Sequence, residues 1–102
     1  MPALPLPYLN ARELDERPWA EVPVLIPFPE TTWEGGRVEG MLELFIGEDG
    51  SVDRILVKDS TLPEEFEAVA VETFRGVKMQ PGVKEGKPVR SIMKILVEFE
   101  QR

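Results

Sequence analysis

Between Val38 and Asp59, apolar and polar residues alternate in two runs separated by a short turn: VEGMLELFIG, then EDGS, then VDRILVKD. Val38, Gly40, Leu42, Leu44 and Ile46 share one side of the first run. Glu39, Met41, Glu43 and Phe45 share the other, a mixed side suited to partial contact with water. Ile55 and Val57 then alternate with Arg54, Leu56 and Lys58. Two period-two runs joined through Asp-Gly predict a β-hairpin. Gly50 supplies a positive φ without steric cost, and Asp49 tolerates a left-handed backbone. The rest of the chain is expected to pack on this hairpin or pair with it.

After the hairpin the period changes. Phe66, Val69, Ala70, Thr73, Phe74 and Val77 recur at helical spacing and form one apolar stripe, with Glu65, Glu67, Glu72 and Arg75 on the outer side. Ser60 or Thr61 is placed to cap this helix, Pro63 suits its first turn, and Glu64 and Glu65 complement its dipole. Gly76 ends it. Residues 77–82 read as a short extended piece closed by Pro81-Gly82, and residues 84–88 as a loop. From Ser91 to Glu100 the alternation returns: Met93, Ile95, Val97 and Phe99 on one side, Lys94, Glu98 and Glu100 on the other. That is a long final strand.

Upstream of the hairpin, prolines dominate. Seven of the ten lie in residues 1–29: Pro2, Pro5, Pro7, Pro18, Pro23, Pro27 and Pro29. The opening MPALPLP favours extended polyproline II, as a linker end does. YLNARELDERPW carries a short helix or turn signal: Asn10 as cap, Glu13 three residues on, and Pro18 as stop. EVPVLIPFPE is an extended apolar segment that lies along a sheet edge or over the core, because its prolines bar it from a central strand. Residues 33–36 form a loop into the hairpin. Trp19 and Trp33 flank the proline-broken segment, and packing onto the sheet is the expected account of both, ahead of an aromatic peptide platform.

The expected architecture is α+β. A small antiparallel sheet is built from hairpin, helix and long final strand, with one main helix on one face and a short N-terminal helix or extended proline-rich segment. Element order alone does not settle the direction of the last strand, but a three-stranded sheet covered by one helix is the economical arrangement. Residues 1–7 read as a proline-rich linker stub and residues 8–102 as a single domain.

Composition narrows the chemistry. At 102 residues the chain has room for one modest core, and 42% apolar with 30% charged residues describes an ordinary globular sequence. No apolar run approaches the roughly 18 residues of a membrane helix. With no Cys and no His, a thiol nucleophile, a disulfide, an imidazole base and a Cys/His zinc site are excluded. A net charge of −7 argues against general nucleic-acid binding. Yet Arg75, Lys78, Lys84, Lys87, Arg90 and Lys94 face only Glu85 along residues 75–94, a local band of positive charge. It is either a steering surface for an acidic partner or a set of solvated loops with a guarded strand.

Two acidic clusters have plainer readings than chemistry. Residues 48–53 faintly suggest a calcium loop, but Leu44 and Ile46 fall where oxygen ligands belong, so a turn is expected. Glu64, Glu65 and Glu67 are explained by a helix start, without acid–base work. No catalytic constellation and no cofactor are indicated.

Taken together, these segments resemble a known family. GGRVEGMLELFIGEDGSVDRILVKDS is similar to the opening hairpin of the C-terminal domain of the energy transducer TonB. FEAVAVETFRGVKMQPGVKEGKPV resembles its helix and the proline-glycine passage after it, with Pro81 and Gly86 in place. SIMKILVEFE resembles its final strand, and YLNARELDERPWA a lead-in found in some members. The resemblance spans roughly Tyr8 to Glu100.

It implies a non-enzymatic periplasmic interaction domain that grips an extended receptor segment, the TonB box, and works with an inner-membrane motor in the full-length context. The expected localisation is the periplasm, with the full-length form anchored in the inner membrane and no membrane contact by this segment. The proline-rich start lacks the Glu-Pro and Lys-Pro repeats of the family's long spacer, so the chain is either an excised domain or a relative that works without that machinery.

An open sheet ending on a long strand leaves unpaired N–H and C=O groups where a peptide can add as another strand. The candidate partner-binding residues are Arg90, Ser91, Ile92, Met93, Lys94, Ile95, Leu96, Val97, Glu98 and Phe99. Lys94, Glu98 and Glu100 would act as gatekeepers, and Arg90 and Lys87 would attract an acidic segment. Against this stands the reading in which the strand is ordinary core, covered on both sides. A third possibility is self-pairing into a homodimer, as an envelope assembly module or adaptor resembling TolA. A small enzyme using carboxylates is the remaining class.

Overall fold

In the computed structural model, which describes residues 7–29 and 35–101, the elements follow in chain order. A 3-10 turn at Ala11–Glu13 precedes β1 (Trp19–Ala20), β2 (Gly36–Ile46), β3 (Val52–Lys58) and α1 (Glu64–Arg75). Then come β4 (Met79–Gln80), β5 (Gly82–Lys84), β6 (Lys87–Val89) and β7 (Ser91–Gln101). The main sheet has the order β3–β2–β7, antiparallel throughout. The α+β class and the antiparallel sheet are as the pattern predicts.

β2 and β3 form the expected hairpin, in register from Met41 opposite Lys58 to Phe45 opposite Arg54. A bulge follows, and Ile46 then faces Val52, leaving Asp53 outside the ladder. The turn is held by Gly50 donating to the Gly47 carbonyl (3.0 Å) and Gly47 donating to the Ser51 carbonyl (2.8 Å). Gly50 has φ +85°, as expected, but Asp49 is not left-handed. Its carboxylate instead accepts from the Ser51 amide (3.0 Å) and hydroxyl (2.6 Å), an Asx turn. These bonds hold the Asp49 carboxyl below its ordinary range.

α1 buries Phe66, Ala70 and Phe74 against Leu42, Leu44, Ile46, Met79, Val97 and Phe99. The stripe is as read, but the cap is not. Pro63 occupies the N-cap position and no side chain caps the helix. Ser60 Oγ instead accepts from the Leu62 amide (3.0 Å). Thr61 bonds to β2, its amide donating to the Glu39 carbonyl (2.8 Å) and its hydroxyl accepting the Glu39 amide (3.0 Å). Thr61 thus satisfies the groups of β2 that β3, ending at Lys58, no longer reaches. Gly40 lies beneath this crossing, where a Cβ would meet Ser60 Oγ at 2.9 Å and Leu62 Cδ1 at 3.0 Å.

The proline-broken segment runs over the core, one of its two expected positions. Ala20, Val24 and Ile26 pack on the core. Phe28 meets Phe66 and Phe99 edge to face, with centroids 5.3 and 5.8 Å away, and those two rings are themselves 4.8 Å apart. Trp19 departs from expectation: it is 58% exposed, because β1 pairs with β4 at the margin and the indole faces outward. The N-terminal helix contracts to the 3-10 turn, ending as Leu14 turns extended (φ −99°, ψ 145°), ahead of Pro18. Residues 82–89, expected to be partly loop, form a β5–β6 hairpin. Its turn residues Glu85 (φ +52°) and Gly86 (φ +77°) both take positive φ. Most of the MPALPLP opening and Trp33, with its share of the loop and of the paired-tryptophan reading, lie outside the described residues.

Candidate functional site: the free edge of β7

β7 is long because its apolar side chains have a continuous surface to cover. Its register with β2 runs unbroken from Gly36 opposite Gln101 to Ile46 opposite Ser91. Val97 and Phe99 are buried, and Met93 and Ile95 pack against the same core. The alternate residues Ile92, Lys94, Leu96, Glu98 and Glu100 belong to the face of the sheet opposite the one that α1 covers.

Backbone direction follows the same alternation. The Ile92 amide donates to the Leu9 carbonyl (2.9 Å), and the Leu9 amide donates to the Arg90 carbonyl (3.0 Å). These two bonds lie on the side of β7 away from β2, so Lys94, Leu96, Glu98 and Glu100 turn their N–H and C=O to that same side. Leu9 pairs parallel with Ser91 and then leaves the edge. The turn that removes it is fastened by Glu13, whose carboxylate accepts the Asn10 amide (3.0 Å). Beyond Leu9, the outer edge of β7 has no paired strand among the described residues. From Lys94 to Glu100 this open row runs roughly 20 Å at strand rise.

The candidate residues therefore divide. Arg90, Ser91 and Ile92 sit where Leu9 already lies, and the Arg90 guanidinium rests 5.7 Å from the centre of the Tyr8 ring. Ser91 is fully buried, and its hydroxyl has no hydrogen-bond partner among the described residues. Met93, Ile95, Val97 and Phe99 direct backbone groups to β2 and side chains to the core. Lys94, Leu96 and Glu98 hold free rungs. Leu96 is half-exposed, and Glu98 accepts from Arg37 (2.9 Å). Charged side chains thus flank the open backbone, as edge strands commonly require.

The N-terminal segment is pinned at the start of this edge. Tyr8 meets Phe45 edge to face at 5.2 Å, and its hydroxyl donates to the Asp53 carboxylate at 2.8 Å. The bulge that frees Asp53 from the ladder makes that bond available. The Asp53 carboxylate pushes the Tyr8 phenol above its ordinary range, and partial burial adds to the shift.

Beside the first free rung lies a groove of about 570 Å³, between the 3-10 turn and β7. Arg12, Arg17 and Lys94 all line it, with Ala11, Pro18 and Ile92 among the other walls. The sequence reading missed Arg12 and Arg17, since nothing local marks two arginines in a polar stretch as neighbours of a strand eighty residues on. Of the cations it chose, Arg90 is stacked on Tyr8 and Lys87 lies in β6.

In the turn at residues 48–53 the Ser51 hydroxyl lies 2.6 Å from Asp49 and 3.2 Å from Asp53, so the two carboxylates share one hydroxyl donor. Among the described residues no acidic group has the arrangement to hold a metal ion.

Residues 34–100 match a known protein family, described as the C-terminal of the Gram-negative bacterial TonB protein. No curated protein matches the chain.

Proposed function

Because the chain belongs to the family of Gram-negative TonB C-terminal domains, we propose that it binds an extended, TonB box-like segment of an outer-membrane receptor by adding it to β7. The family is non-enzymatic, periplasmic and concerned with energy-coupled transport. No helix among the described residues is long and apolar enough to cross a membrane. In this reading the domain is a grip that a longer protein, anchored in the inner membrane and driven by a motor there, pulls upon.

The observation that carries the proposal is the open row of backbone groups at Lys94, Leu96, Glu98 and Glu100, next to an edge segment that Leu9 already occupies in strand fashion. Each hydrogen bond gained contributes about 1 kcal/mol net, so several rungs hold a segment firmly enough to transmit load while leaving release reversible.

The test is a titration of isotope-labelled protein with receptor-derived extended peptides. Amide shifts concentrated at Lys94–Glu100 support strand addition, and saturating peptide without shifts there rejects it. Leu96→Pro sharpens the test. Its N–H points away from β2, so proline removes a donor for the ligand without breaking the sheet ladder. Peptide binding should fall at least roughly tenfold while thermal stability changes little.

A second reading, the homodimerising adaptor, has one observation in its favour. Antiparallel self-pairing centred on Leu96 would set Lys94 of each copy against Glu98 of the other. Sedimentation that shows a dimer, together with no peptide response, would favour it.

A further inference from the structure

We propose that Tyr8 and Leu9 form a register stop: they fix where along β7 an added segment begins, and so confine it to the seven residues Lys94–Glu100. This rests on the strand-addition reading and supplies what that reading lacks. Main-chain pairing does not choose a register. A strand that slips by two residues along an edge makes the same hydrogen bonds and keeps its side chains on the same faces. An edge open over the whole of β7, from Ser91 to Gln101, would accept an extended partner at several positions. The closed start removes that freedom.

Leu9 takes the first rung with the bonds of a parallel ladder, its amide donating to the Arg90 carbonyl (3.0 Å) and its carbonyl accepting the Ile92 amide (2.9 Å). The next rung of that ladder would present the Ala11 carbonyl to the Lys94 amide. That carbonyl instead accepts the Leu14 amide (3.2 Å), and the Asn10 carbonyl accepts the Glu13 amide (2.9 Å). The chain therefore curls into the 3-10 turn, and Asn10 and Ala11 stand as a wall beside Ile92 and Lys94.

A partner that displaced Leu9 would gain only the two backbone bonds that Leu9 gives up, so those bonds do not decide between them. The anchors on either side do. Tyr8 donates to Asp53 (2.8 Å), meets Phe45 edge to face, and carries the Arg90 guanidinium against its ring. Downstream, Glu16 exchanges two backbone bonds with Val83 (3.1 and 2.9 Å), and the Asp15 carboxylate accepts the Glu85 amide (2.6 Å). A segment tied at both ends loses little entropy in holding its place, whereas a free peptide must be ordered to take it. The core side of the rung is filled as well. Ser91 is fully buried, and a Cβ on Gly82 would lie 2.9 Å from Leu14 and 3.0 Å from the Ser91 hydroxyl.

The experiment uses two synthetic peptides of alternating Val and Thr, one about as long as the open row and one about four residues longer. Each carries a nitroxide on its N-terminal residue and is titrated into the isotope-labelled 102-residue protein. Such a repeat reads the same after a slip of two residues, so a single register can come only from the protein. With the native chain, amide shifts should stay within Lys94–Glu100. The nitroxide should broaden amides at one end of that row only, and both peptides should bind with equal affinity. Tyr8→Ala combined with Leu9→Pro removes the anchor and the donor to Arg90. Shifts should then spread to Arg90–Ile92, broadening should extend along the edge, and the longer peptide should bind roughly tenfold more tightly than the shorter. Tyr8→Phe keeps the ring and loses only the Asp53 bond. It should show the same changes to a smaller extent, and it answers the question if the double variant fails to fold.

Native-chain shifts that spread to Arg90–Ile92, with the Leu9 amide losing its protection from exchange, overturn the stop and leave strand addition standing. Variants that hold both peptides in the native register do the same. If neither peptide shifts any amide of the edge, strand addition and the stop fall together.

Discussion

Gly50 shows how one residue couples the hairpin to the rest of the molecule. Its φ of +85° disfavours any side chain, and a Cβ there would overlap the Met79 carbonyl, while the Met79 amide donates to the Gly50 carbonyl (2.9 Å). Gly50→Ala therefore meets both a conformational cost and a backbone collision. Its urea unfolding midpoint should fall by an amount equivalent to about 2 kcal/mol or more, with the slope unchanged.

Tyr8 supports a pH prediction. It is the chain's single tyrosine, so its optical titration reads one group. The midpoint should lie above 10.0, and Asp53→Asn should bring it back towards that value. The folded state disfavours the phenolate. The stabilisation is therefore complete below the ordinary tyrosine range and is lost as pH rises through the folded midpoint. Loss of the Leu9 amide's protection from exchange in that alkaline window would show the segment leaving the edge.

Among the elements, the three with strong periodicity were legible in the chain. The β2–β3 hairpin, α1 and β7 each present an apolar side whose spacing matches one geometry, so the pattern constrains both type and facing. α1 shows what that buries. Phe66 is fully enclosed and touches two further rings, so Phe66→Ala should cost about 3–5 kcal/mol. Calorimetry would measure this as a fall in Tm or as failure to fold.

The weaker elements were read less well, for identifiable reasons. The helix cap was assigned to Ser60 or Thr61 from residue type, but β2 has unsatisfied groups at Glu39 that compete for the Thr61 amide and hydroxyl and win. The β5–β6 hairpin was missed because Glu85-Gly86 lacks the Asn or Asp that usually announces such a turn. Three-residue strands carry too few positions to show a period.

At the scale of the molecule, packing against the core extends beyond the matched residues 34–100. The segment from Ala20 to Phe28 covers the part of the core that holds Phe66 and Phe99, and Tyr8 and Leu9 occupy the start of the β7 edge. A fragment starting at residue 34 should be less stable than the full chain by about 3 kcal/mol or more, since Val24, Ile26 and Phe28 each give up contacts with the core. It should also bind a hydrophobic dye. Equal melting temperatures would show that the segment is not part of the folding unit.

The sequence by itself determined the local geometry: two alternating runs about Gly50, one amphipathic helix, and one alternating final strand with Lys94, Glu98 and Glu100 on its outer face. Those follow from interactions among residues a few positions apart. Only the tertiary structure decided that β2 lies in the middle, that β7 ends the sheet, and that Leu9 takes the first outer rung. The meeting of Arg12, Arg17 and Lys94 likewise belongs to that level. Strand partners and edge occupancy depend on contacts between residues far apart in the chain, for which alternation carries no address.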